Sequence, residues 1–71
     1  MERATTPRSY RLVVRGRMSE RMAHAFADLR VETTGAETAL IGQFADQSQL
    51  YGVIDRLRDL GIELVSVNAA R

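Results

Sequence analysis

The chain contains no cysteine, no tryptophan and no lysine, with a single proline and a single histidine among 71 residues. Without cysteine there are no disulfides, no thiol nucleophile and no zinc ribbon, and one histidine alone cannot build a conventional zinc site. Neither a metal nor a cofactor is therefore expected. A large charge excess is also missing: 10 basic and 9 acidic residues leave a net charge of +1, unlike proteins built to hold phosphate backbones, so nucleic acid is not favoured as a partner. Every basic residue is arginine, which fits a GC-rich bacterial genome more economically than a guanidinium-specific task. No apolar run approaches the roughly 18 residues of a membrane span, and the polar start lacks the apolar core of a signal peptide. A cytoplasmic protein with no membrane partner is the default expectation.

Within these limits the pattern is well defined. Residues 1–9 are polar and hold the only proline, so they read as a flexible tail. From Tyr10 the chain alternates: Tyr10, Leu12 and Val14 fall on one face of a strand, and Arg11, Val13 and Arg15 on the other. Gly16 interrupts it. Ser19 then suits the N-cap of a helix whose Met22, Ala25, Phe26 and Leu29 form one apolar stripe, with His24 and Asp28 turned to solvent.

Val31 to Thr34 reads as a short strand, Gly35 and Ala36 as a two-residue hairpin turn, and Thr38 to Phe44 as the returning strand. Pairing Thr34 with Glu37 sets Val31 opposite Leu40 and carries Gly42 and Phe44 inward, leaving Glu32, Ala39, Ile41 and Gln43 outward. Asp46 and Gln49 resemble a capping box ahead of Leu50, Val53, Ile54 and Leu57, and Gly61 ends this second helix with Ile62 set against Leu57. Gly52 falls on its outer face. Arg56, Arg58, Asp55 and Asp59 read as an alternating solvated surface with no chemistry. Ile62 to Val67 forms the last strand, where two alternations compete; Ile62 and Leu64 are taken as inward, with Val65 and Val67 outward.

The order strand, helix, strand, strand, helix, strand predicts an α+β, ferredoxin-like βαββαβ sandwich over 10–68, followed by a short C-terminal tail over 69–71. Its four-stranded antiparallel sheet has the expected order 4-1-3-2, with both helices on one face. A domain of this size buries only roughly 60% of the surface its unfolded chain exposes, so association would supplement the core. The uncovered sheet face supplies the candidate interface: Val13, Ala39, Ile41, Val65 and Val67, flanked by Arg11 and Arg15. Its outward positions on the central strands hold none of the stacking aromatics of RNA-recognition domains.

These features predict a non-enzymatic interaction or oligomerisation module, a homodimer first, with an unidentified protein partner as the other possibility. An ACT-like small-molecule sensor shares this order of elements and is the alternative. A third reading is an enzyme holding an anion with Arg15, Arg17 or Arg21 at the loop after the first strand. Val13 to His24 superficially resembles the first strand and phosphate loop of acylphosphatases, a resemblance that implies backbone N–H groups and a clamping arginine around phosphate. Gly16 matches that pattern. Ser19 and Glu20 replace its Gln-Gly pair and His24 replaces the arginine, so the departures argue against the activity.

Tyr10 to Gly16, Thr38 to Gly42 running into Asp46-Gln47, and Leu50 to Val67 with its Arg58-Asp59-Leu60-Gly61 and Ser66-Val67 signatures resemble a group of short, uncharacterised bacterial proteins frequent in actinobacteria. The resemblance spans Tyr10 to Val67. It implies this fold and a bacterial origin and brings no activity with it. This chain departs from the common pattern in lacking a tryptophan in the first helix region.

Overall fold

A glycine sets the first register. Gly35 has φ +58° and no non-glycine residue among those described has positive φ, so the hairpin turn Gly35-Ala36 is of the primed type with only its first central residue left-handed. It joins β2 (Arg30–Thr34) to β3 (Glu37–Phe44) with Thr34 opposite Glu37 and Val31 opposite Leu40. In this computed structural model, which describes residues 8–70, β1 (Arg8–Arg15) lies on the other side of β3 and β4 (Leu64–Ala70) pairs with β1. All pairings are antiparallel and the order is β2-β3-β1-β4, which makes β1 and β3 central.

The strands are longer than the alternation suggests. Arg8 and Ser9 belong to β1, and Ala69 and Ala70 to β4, where Ser9 pairs with Ala70. The rest of the expected tails, 1–7 and 71, lies outside the described residues.

Helix α1 (Glu20–His24) is only five residues long. Ser19 caps it, its Oγ accepting from the Met22 N–H at 3.2 Å. Beyond His24 the chain tightens into three-residue turns, with the N–H groups of Ala25, Phe26 and Leu29 donating to the carbonyls of Met22, Ala23 and Phe26. The expected single stripe Met22, Ala25, Phe26, Leu29 is therefore broken: Phe26 is buried, whereas Ala25 is rotated out to solvent. Leu29 lies over Gly42, occupying the space a side chain there would need.

Helix α2 (Gln47–Asp59) is fully formed. Asp46 accepts from the Gln49 N–H at 3.0 Å, and the Gln49 Oε1 accepts from the Ala45 N–H at 2.7 Å, satisfying two N–H groups reciprocally. At the other end Gly61 has φ +74°, the Ile62 N–H donates to Leu57 O at 2.9 Å and the Gly61 N–H to Arg58 O at 3.0 Å. Those two bonds define a Schellman motif.

The core is small: Leu12, Val14, Phe26, Leu40, Phe44, Leu50 and Leu57, with Tyr10 meeting Phe44 edge to face at 5.9 Å between ring centroids. Strand β4 joins it in an unexpected way. Leu12 pairs with Val67 and Val13 with Ser66, but Val14 pairs with Leu64, so Val65 is one residue too many. This bulge reverses the alternation within the strand. Leu64 and Val67, three residues apart, both reach the core. Val67 is therefore an inward residue and not part of the open face, contrary to the simple alternation.

Candidate functional site

The face without helices carries its side chains in cross-strand rows. One row runs Asn68, Arg11, Ile41, Arg30 and the next Ser66, Val13, Ala39, Glu32; Arg15 stands opposite Glu37 beyond them. Val13 and Ile41 are half-buried in this isolated chain. The fringe is balanced between arginine and glutamate.

Arg11 on β1 and Glu32 on β2 are separated by all of β3, yet Arg11 Nη1 lies 3.9 Å from Glu32 Oε1. The aliphatic stem of Arg11 must therefore pass over β3 beside Ala39 and Ile41, as long cationic side chains do when they cover apolar surface. Glu32 also takes Arg30 Nη2 at 2.8 Å and Arg30 Nε at 3.0 Å. Ala39, expected at the surface, is only 4% exposed; a methyl group beneath taller neighbours has nothing left to offer a partner. These ion pairs are themselves solvent-exposed and add little to stability. Their effect is to hold side chains flat over the sheet.

Of the expected interface residues the face thus assembles Arg11, Val13, Arg15 and Ile41. Val65 projects from the bulge at the sheet edge, 43% exposed. Ser66 and Asn68 take the places that Val65 and Val67 would have held, and alternation alone could not have found them, because nothing local marks the bulge.

The three arginines of the anion reading do not converge. Arg15 Nε lies 3.3 Å from Glu63 Oε1. Arg15 and Arg17 border an open depression of about 320 Å³ where the loop after β1 meets the loop before β4, with Val14, Met18, Met22, Leu60 and Ile62 as its apolar lining. Arg21 instead borders a separate shallow surface with Glu20 and His24. Among the described residues no three His, Asp or Glu side chains come together as metal ligands.

Two polar side chains that the pattern left without a role turn out to fix the loops. Thr38 is fully buried and donates its hydroxyl to Gly16 O at 2.7 Å, while the Gly16 N–H donates to Ala36 O at 2.6 Å. The loop after β1 is thereby tied to the β2–β3 turn. Arg56, far from a solvated bystander, donates from Nη1 to Ala25 O at 3.0 Å and lays its guanidinium over the Phe26 ring. Thr38 follows from the inward period of Leu40 and Phe44; Arg56 carries no local signal.

Neither a curated protein nor a solved structure matches the chain. Residues 9–68, which take in both helices and reach into all four strands, match a sequence family, and the chain belongs to it: Domain of unknown function (DUF8691).

Proposed function

We propose that this domain is a non-enzymatic association module whose helix-free sheet face takes a second copy of the chain. The observation that carries the reading is the distribution of cover: α2 and Phe26, in the turn just after α1, pack on one side, and Val13 and Ile41 stay half-buried on the other. The fringe of Arg11, Arg15 and Arg30 with Glu32, Glu37 and Glu63 has no net sign. Such a surface suits a two-fold contact with itself better than a nucleic acid or an anionic membrane. The contact residues in this proposal are Arg11, Val13, Arg15 and Ile41, joined by Ser66 and Asn68.

A ferredoxin-like assignment is part of the same proposal. Counted from the β4 edge the strands run β4-β1-β3-β2, and this order with the βαββαβ succession supports it. No helix among the described residues is long and apolar enough to cross a membrane, and we place the protein in the cytoplasm of an actinobacterium as a working assignment.

Light scattering at high micromolar concentration tests the association. The parent protein is expected to dimerise, and Val13→Glu and Ile41→Glu to weaken the dimer at least tenfold while the circular dichroism stays unchanged. A parent dimer indifferent to both substitutions sinks the face reading.

The depression between the two loops favours a second reading, an ACT-like sensor of a small amphiphile. Its apolar lining and its rim of Arg15, Arg17 and Glu63 match a molecule with both charges, such as an amino acid. Thermal shift over amino acids and nucleotides tests it, and a flat response from the whole panel removes it.

A further inference from the structure

The sheet has two outer strands, β2 and β4, and they are guarded very differently. β2 is five residues long and carries Arg30 and Glu32. β4 has seven residues, none of them charged and none proline. Folded sheets protect their edges with short strands, charges, prolines or bulges, because unpaired N–H and C=O groups are a template for another strand. β4 uses only the bulge at Val65, which leaves 66–70 as a regular, uncharged edge.

A second observation lies at the same end. Tyr51 is 57% exposed, more than Leu60 or Val65, the other exposed large apolar side chains among the described residues. It stands about 140° around the α2 axis from Arg56 at 3.6 residues per turn, and Arg56 reaches toward α1. Since α2 lies against β3 and β4, the flank turned away from α1 is the β4 flank. The start of α2 follows Phe44, which pairs with Arg8, and Ser9 pairs with Ala70. Tyr51 and the last residues of β4 therefore share one corner of the molecule.

We propose that residues 66–70 of β4 pair antiparallel with the same stretch of a second copy. This continues the sheet across a two-fold axis, and the two Tyr51 rings close over the junction on the helix side. A second copy fits because two-fold pairing sets uncharged residues against uncharged residues, with no like charges opposed. A five-residue edge is roughly 17 Å long. With two tyrosines the contact stays below about 1,200 Å² in total, the range of weak, concentration-dependent partners. It uses none of the residues at the centre of the bare face, so the two contacts can coexist, and they close into a tetramer where their two-fold axes cross at right angles.

Sedimentation velocity over low to high micromolar concentration separates the two contacts. Ala69 pairs with Tyr10 and so points to the helix side; Ala69→Lys and Tyr51→Lys alter only the edge, and Val13→Glu alters only the face. Each lysine variant is expected to raise the dissociation constant of the edge contact at least tenfold with melting temperature and circular dichroism unchanged, whereas Val13→Glu leaves that contact intact. Association undiminished in both folded lysine variants overturns the proposal. So does a parent that stays monomeric throughout, which would leave the edge to a foreign strand or to none.

Discussion

The guanidinium carbon of Arg56 sits 5.7 Å from the centre of the Phe26 ring while its Nη1 holds Ala25 O. One side chain of α2 thus closes the end of α1, which stops after a single turn and a half and leaves a carbonyl without an intrahelical partner.

Arg56→Ala removes a cation–π contact and a charged hydrogen bond together, and we expect a loss of about 1–2 kcal/mol, near the upper range for a partly exposed pair. Arg56→Lys should recover only part of it, because an ammonium cannot stack and donate in the same geometry. Urea denaturation of the two variants measures both steps.

Gly42→Ala places a methyl group against Leu29 Cδ2, with Asp28 O and the Leu29 Cα also near at 3.6 Å. Overpacking of this kind costs about 1–3 kcal/mol. Leu29→Ala relieves the clash, so the double variant should be less destabilised than the sum of the singles. A double-mutant cycle in which the two effects simply add would show that Leu29 does not rest on Gly42.

Gly52→Ala is expected to act in the opposite direction. Nothing lies within 4 Å of a Cβ built at this exposed helical position, and glycine in a helix interior is about 1 kcal/mol less favourable than alanine. A domain of this size should gain roughly 4–8 °C in Tm for that change. Should assembly fall instead, another backbone docks on this face of α2.

Thr38→Val keeps the shape of a fully buried side chain and deletes the hydroxyl that Gly16 O accepts from. Leaving that carbonyl short of a partner costs about 1–3 kcal/mol. Because the bond ties the loop after β1, hydrogen exchange at Gly16, whose N–H donates to Ala36 O, should accelerate more than exchange at Leu12. Uniform acceleration would assign Thr38 to global stability alone.

What could be read from residues in order was what neighbours in sequence decide. The primed turn at Gly35 sets the β2–β3 register through Leu40, and Asp46, Gln49 and Gly61 set both ends of α2, because each acts within six residues of itself. What escaped depends on chain segments far apart. The length of α1 is settled with Arg56, thirty-one residues beyond Ala25. The burial of Ala39 involves an arginine spanning three strands, and the inward facing of Val67 follows from its pairing with Leu12. The bare face was visible as a consequence of topology; its membership was not.

The extra residue at Val65 adds nothing to the interior. In a chain without it, Leu64, Ser66 and Val67 would alternate regularly and show the core the same two side chains. Its effect falls on the outside, where a bent strand interrupts what would otherwise be one straight, uncharged border from end to end. A straight border of that length is a longer template for a foreign strand. A single surplus valine thus shortens the stretch open to strand addition to the five residues beyond it.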